Sequence, residues 1–231
     1  MAKKNQKGTL FIVATPIGNL TDISQRAVQI LNDVDTIICE DTRHSMKLLT
    51  HFNIRKKLVA YHGHSLPAKT AKLINNLLYG YDMAYITDGG TPCISDPGHT
   101  LIQKCHEKEL NVIAIPGACA AITALSMSGI SAKKFFFLGF LSKKKGKRLR
   151  QLIEIKEIDA AIILYESAFR LEALIECIAE VFAGKIVFVA KEMTKLFEMT
   201  FYGEIEKVCE KIVASEIKGE YTIIINNYKK K

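Results

Sequence analysis

The sequence predicts an α/β protein of two domains, the first on a mainly parallel sheet and the second on a mixed one. Three observations carry this. Up to about residue 130, continuous apolar runs alternate with helical patterns, as strands covered on both faces require. Glycine- and proline-rich breaks follow those runs directly, where strands would lead into helices. Beyond "SGISAKK" the apolar runs include hairpin-like pairs, which places the boundary near 130 and gives domains 1–130 and 131–231.

The elements follow in order. "TLFIVA" (9–14) reads as a strand and "DISQRAVQILN" (22–32) as a helix capped by Asp22 or Ser24. "VDTIIC" (34–39) is a strand, "RHSMKLLTHF" (43–52) a helix and "KLVAYH" (57–62) a strand. "PAKTAKLINNLLYG" (67–80) opens on proline and closes on glycine, the asymmetry of a helix. "DMAYIT" (82–87) and "NVIAIP" (111–116) are strands around the helix "GHTLIQKCHEKE" (98–109), and "GACAAITALSMSG" (117–129) closes the first domain as a helix. In the second domain the strands are 135–140, 160–166, 185–192 and 220–226, with an extended piece at 195–205. Its helices are 149–155, 169–182 and 206–215.

The chain has 231 residues, 48% hydrophobic and 24% charged, which suits a soluble globular protein. Six dispersed cysteines show no zinc spacing and read as reduced thiols of a cytoplasmic protein. The apolar run Leu10 to Ala14 is too short for a signal-peptide core, and no stretch reaches the ~18 apolar residues of a membrane span. His62 and His64 form an H-x-H with no third ligand in view, so no metal site is expected. The net charge is +8, partly concentrated at both ends and in "KKKGKRLR" (143–150). Lys143, Lys144, Lys145, Lys147 and Arg148 make the central run a candidate polyanion surface; solvated charge is the plain alternative.

In open parallel sheets, ligands sit beyond the carboxyl ends of the strands. "TPIGN", "EDTRH", "HGHS", "TDGGTPCISDPG" and "PGACA" all fall at such ends. Glycines just after a strand expose main chain, and Asp88 could accept hydrogen bonds from a ribose or an amino group. Arg43 could clamp a phosphate, and Glu40 or Asp41 could act as a base. Glu166 and Lys191 are charged groups at predicted strand ends of the second domain.

"FIVATPIGNLTDISQRAVQIL", "EDTRHSMKLL", "DGGTPCISDPG", "PGACAAITAL" and "KEMTK", in this order, resemble the tetrapyrrole-methylase superfamily of S-adenosylmethionine (SAM) enzymes. Within it they are most similar to the branch that methylates the ribose 2′-hydroxyl of a cytidine in small-subunit ribosomal RNA. The resemblance implies a SAM cleft between the two domains. It places Pro16, Asp88, Gly89, Gly90, Ile94, Ser95, Cys119, Ala120, Tyr165 and Ala190 at the cofactor. It also implies a homodimer and 16S rRNA as partner, within the small ribosomal subunit near its decoding centre. Departures include "TDGGTP", "PGACA" and "ESAFR", where the family usually reads S-D-A-G-T-P, P-G-P-S-A and E-S-P-H-R. For the chemistry, Glu40, Arg43, Glu166 and Lys191 stand as candidates to deprotonate the hydroxyl or stabilise its alkoxide. A SAM methylase of a small molecule, and a non-catalytic assembly factor binding RNA, are the competing readings.

Overall fold

A computed structural model describes residues 6–62 and 67–229. His64, most of the "HGHS" loop and the terminal lysines Lys3, Lys4, Lys230 and Lys231 lie outside the described residues. The chain divides into two compact units, Met1–Cys119 and Ala120–Lys231.

The first unit is built from β1 (Thr9–Val13), α1 (Gln25–Asp33), β2 (Thr36–Cys39), α2 (Thr42–His51), β3 (Lys57–Ala60), α3 (Pro67–Leu78), β4 (Met83–Tyr85), α4 (His99–Glu107) and β5 (Asn111–Ile115). The five strands pair in the order β3-β2-β4-β1-β5, and every pairing is parallel. Of the two candidate caps for α1, Ser24 is the one used, accepting the Ala27 N–H at 3.1 Å. Asp22 ends a short 3-10 turn, Leu20–Asp22.

Both faces of this sheet are covered, and alternation along each strand divides the core in two. Val13, Ile37, Cys39, Ala84 and Ile86 pack against Ala27 and Leu31 of α1 and Leu49 of α2. Leu10, Ile12, Ile38, Met83 and Tyr85 pack against Leu73, Ile74 and Leu77 of α3 and Leu101 and Cys105 of α4. This division follows from the strand order. The chain runs outward from β1 to β2 to β3 and then returns to β4 and β5, so right-handed crossovers send the two helix pairs to opposite faces. The neighbours β1 and β4 therefore release their chains to opposite sides. That is the switch point at which such sheets bind ligands.

The second unit contains α5 (Ala120–Met127), β6 (Phe135–Phe140), α6 (Lys145–Glu154), β7 (Ala161–Ser167), α7 (Ala168–Val181), β8 (Ile186–Lys191), β9 (Met199–Glu204), α8 (Ile205–Val213) and β10 (Glu220–Asn226). Its sheet runs β6-β7-β10-β8-β9, with β6–β7 parallel and the other pairings antiparallel, the mixed sheet the sequence predicts. Two elements differ from expectation. The helix expected to close the first domain is α5, and it belongs to the second unit. It packs on β10 and β7, and the Tyr165 hydroxyl in β7 accepts the Ala121 N–H at 2.9 Å, satisfying an open donor of its first turn. The unit boundary therefore lies at Cys119/Ala120, short of the expected 130. The other difference is α6, which begins at Lys145, inside the basic run expected to precede it.

One glycine tests how tightly the loop after β4 is pressed onto the sheet. Gly98 has φ +130°, and a Cβ there would lie 2.3 Å from the Tyr85 ring. Gly98→Ala is expected to cost about 2–4 kcal/mol, from strain and overpacking together. Gly184, at φ +69° with open space around it, should lose only about 1 kcal/mol on the same change. Urea midpoints of the two variants check this; equal midpoints would show that the loop can lift away from Tyr85.

Candidate functional site

The loops at the carboxyl end of the first sheet are tied to one another by named contacts. Thr15, two residues past β1, forms an isolated antiparallel bridge with Gly90, past β4. Thr15 N–H donates to Gly90 O and Gly90 N–H donates to Thr15 O, each at 3.0 Å. The Thr15 hydroxyl donates to Thr87 O at 3.3 Å. Gly90 needs its glycine here, with φ +87° and a notional Cβ only 3.2 Å from Ile17 Cγ2. The loop after β5 joins the same knot, since the Thr91 hydroxyl donates to Ala118 O at 2.9 Å. From the β2 end, Asp41 N–H donates to Asp88 Oδ1 at 3.3 Å. "TPIGN", "EDTRH", "TDGGTPCISDPG" and "PGACA" thus meet on one rim of one sheet.

The ligand-facing inventory of that rim is narrower than the sequence suggests. Both main-chain groups of Gly90 are taken by Thr15, so this glycine builds the loop rather than offering a donor. Pro16 is buried, with its carbonyl 3.3 Å from where a Gly89 Cβ would lie. Asp88, Gly89, Ile94 and Ser95 are exposed, and Cys119 and Ala120 half-buried. Cys93 and Ser95 both hold φ +68°. Left-handed backbone at two non-glycine residues stores strain of the kind found in ligand loops.

Carboxylates crowd the same rim. Burial, then the neighbouring charge of Glu40, pushes the Asp96 carboxyl up to about 6; a hydrogen bond from Thr87 opposes this and Asp88 adds to it. Burial also raises Glu40, with Asp88 and Asp41 reinforcing the shift and His62 opposing it. Asp41 behaves oppositely. Its Oδ1 caps α2, accepting from Arg43 N at 2.7 Å and His44 N at 3.4 Å, and the first of these bonds chiefly holds it below the ordinary carboxylate range. Of the two acids offered as bases by the sequence, Glu40 is the one whose surroundings favour taking up a proton. Arg43 stands exposed in the first turn of α2. Asp96 carried no prediction. Its signal was the D-P-G turn at the end of the long loop, which reads as ordinary turn chemistry. Among the described residues no group of three or more His, Cys, Asp or Glu could hold a metal.

In the second unit, strand alternation separates residues that the sequence reading placed together. Tyr165, Thr222 and Ala190 lie opposite one another across β7, β10 and β8 and share one face. Tyr165 and Ala190 share the face on which Tyr165 meets α5, but only Tyr165 is half-exposed there; Ala190 is 1% exposed and covered where the sequence expects cofactor contact. Glu166, Tyr221 and Lys191 form the adjacent row and so point the other way, into the core packed under α6, α7 and α8. Glu166 is 1% exposed. Its Oε1 accepts the Ser167 N–H at 2.9 Å, and its Oε2 makes a charge contact with Arg170 at 3.1 Å. Lys191 is buried and donates to Glu216 O. Glu166 and Lys191 therefore do not join the catalytic candidates; both are tied down inside the unit.

The basic run also needs correction at one position. Lys143, Lys144, Lys145 and Lys147 are exposed around the start of α6, but Arg148 is 3% exposed. Its Nε donates to Ser142 O at 3.1 Å and its Nη2 to Lys143 O at 3.3 Å. Nη1 has no hydrogen-bond partner among the described residues, an arrangement that costs about 1–3 kcal/mol. Arg148 holds backbone and is closed to a phosphate.

A parallel unit followed by a unit on a mixed sheet is an architecture that solved proteins share. Diphthine synthase matches with a TM-score of 0.71 at 12% identity, over 94% of this chain and 90% of that one. Uroporphyrin-III-C-methyltransferase from Thermus thermophilus matches with a TM-score of 0.66 at 16% identity, over 96% and 95%. At those identities the likeness is one of fold. The sequence places the chain more narrowly: the profile of the Tetrapyrrole (Corrin/Porphyrin) Methylases matches residues 9–209, and the chain belongs to that family. Ribosomal RNA small subunit methyltransferase I of Haemophilus influenzae is 43% identical over 221 residues, 94% of this chain and 78% of that protein. Its namesake from Halalkalibacterium halodurans is 40% identical over 223 residues, 96% and 77%. That from Escherichia coli O157:H7 is 40% identical over 228 residues, 97% and 80%.

The chain is accordingly a methyltransferase with SAM as its methyl donor. The rim fits that cofactor. SAM is cationic at its sulfonium and its ammonium, and the rim gathers Glu40, Asp88 and Asp96 beside side-chain-poor backbone.

Asp96 supplies a pH test. Its folded pKa of about 6 lies above the ordinary 3.8, so its protonation stabilises the folded state. That contribution is complete below 3.8 and is lost as pH rises through about 6. Asp96→Asn should therefore raise the Tm of the cofactor-free protein at pH 7.5 and leave it nearly unchanged at pH 4. Thermal melts at the two pH values check this, and an equal shift at both would show that the carboxylates do not crowd.

Proposed function

We propose that this protein is a SAM-dependent methyltransferase that methylates the ribose 2′-hydroxyl of a cytidine in 16S rRNA, within the small ribosomal subunit near its decoding centre. The observation that carries this is identity of 40–43% across at least 94% of the chain with proteins named ribosomal RNA small subunit methyltransferase I. The four exposed lysines from Lys143 to Lys147 support it from the structure, because RNA binding by counterion release needs such a surface. A small-molecule substrate would leave them without a task. Cytoplasmic action as a homodimer completes the proposal, as the family resemblance implies. Among the described residues no helix is long and apolar enough to cross a membrane.

SAM brings a methyl group already activated on a positively charged sulfur, so the protein's work is alignment, water exclusion and proton handling. Asp88 and Gly89, Ile94 and Ser95, and the loop ending at Cys119 would hold it on the first unit, with Pro16 buried beneath. Tyr165 is the proposed contact from the second. Glu40 is the group proposed to accept the proton that a ribose hydroxyl loses as its oxygen is methylated. Its raised pKa brings it nearer to working pH than an ordinary carboxylate. Arg43, at the start of α2, is proposed to meet the phosphate next to that ribose. The four lysines take phosphates farther along the RNA.

The test uses small subunits purified from a strain lacking the enzyme, incubated with tritiated SAM and the protein. Label in 16S rRNA, recovered by nucleoside mass spectrometry as 2′-O-methylcytidine, is the expected result. Label on another nucleoside would move the target, and absence of label would overturn the assignment. Glu40→Gln should lower kcat by about 100-fold or more and remove the acidic limb of the pH–rate profile. An unchanged profile would exclude Glu40 as the base.

A further inference from the structure

The lysines from Lys143 to Lys147 sit on a stretch of backbone that is fastened from three sides. Arg148 reaches back from α6 to the carbonyls of Ser142 and Lys143, at 3.1 and 3.3 Å. Gln151, one turn further on, accepts the Ser142 N–H through Oε1 at 2.9 Å. From α7, Arg170 donates through Nη2 to Leu141 O, while Glu166 holds its guanidinium by charge at 3.1 Å. The Ser142 hydroxyl adds a bond to Lys144 N–H at 3.3 Å. Five backbone groups across residues 141–144, three carbonyls and two amides, are thus met by side chains of two helices and of the segment itself. A merely solvated charge run has no need of such order.

We propose that Arg148, Gln151 and Arg170 are positioning residues for RNA: they pre-set the backbone of 141–144 so that Lys143, Lys144, Lys145 and Lys147 present their ammonium groups in a fixed array. This rests on the RNA reading above. The reason is entropic. A lysine run on a mobile loop must be ordered when it meets phosphates, at a cost to affinity, whereas a run on a fastened helix start has been ordered by folding. The helix start itself contributes. Lys144 at the N-cap makes no side-chain cap, so the first-turn amides of α6 receive no bond from it. Arg148 acts on the RNA only through the backbone it holds. Glu166 gains a role here in place of the catalytic one: it anchors the arginine that grips Leu141.

The clamp and the charge are separable by salt dependence. Each lysine that meets a phosphate contributes to the slope of log Kd against log salt, whereas a residue that only orders backbone does not. The measurement is filter binding of the SAM-loaded protein to small subunits from a strain lacking the enzyme, at several potassium chloride concentrations. Gln151→Ala changes no charge, and it is expected to raise Kd about 5- to 10-fold with the salt slope and the SAM affinity unchanged. Arg148→Gln should raise Kd by about 10-fold or more, again with the slope unchanged. Replacing Lys143, Lys144, Lys145 and Lys147 by Ala should weaken binding and flatten the slope.

If the quadruple variant loses affinity while Gln151→Ala and Arg148→Gln bind normally, the positioning role is wrong and the RNA reading stands. A slope reduced by about one in Arg148→Gln alone would make Arg148 a direct phosphate ligand and overturn the proposal. If the quadruple variant binds as the parent does, the RNA reading of this segment falls, and the inference with it. Gln151→Ala keeps the test decisive should Arg148→Gln fail to fold.

Discussion

The two hydrogen bonds exchanged by Thr15 and Gly90 are the constraint on which the rest of the first unit's chemistry depends. They close β1's exit onto β4's exit at the point where the sheet sends its chains to opposite faces. The Thr15 hydroxyl's bond to Thr87 O reinforces the closure. With these bonds, Asp88 and Gly89 project from a backbone pinned on one side by Thr15 and on the other by Thr91 and Ala118. Glycine at 90 serves this closure, and an added Cβ would press on Ile17. In this chain Gly90 is therefore a fastening that leaves its neighbours Asp88 and Gly89 exposed rather than a donor of a free amide.

The second unit uses the same economy in another form. Its β7 carries Tyr165 and Glu166 side by side, and β8 carries Ala190 and Lys191. One member of each pair faces the surface where α5 begins, and the other faces the core under α6 to α8. A single strand end thus serves two tasks. Tyr165 caps α5, and Glu166, through Arg170, steadies the start of the lysine segment.

Much of this was legible in the sequence. The βα rhythm and the position of the loops at strand ends follow from apolar runs punctuated by Gly and Pro, and the parallel and mixed sheets are as those patterns predict. The separation of Tyr165 from Glu166 was also legible, because adjacent residues of a strand cannot face one ligand together. Other features were not readable. Arg148 sits in a run of like charges, and only the contacts of the folded chain decide which member turns inward. The allegiance of α5 depends on packing against β7 and β10 and on one tyrosine hydroxyl, all far along the chain. Asp96 looked like a turn residue because its raised pKa comes from burial and from Glu40, neither of which is local in sequence.

The claim that the fastened exits of β1, β4 and β5 form the SAM-binding rim is tested most directly by hydrogen–deuterium exchange with and without SAM. Protection on adding SAM is expected in peptides covering 15–20, 88–98 and 116–120 together, since exits tied to one another should respond as one. Protection confined to peptides of α7 or α8, with those three segments unmoved, would contradict the account.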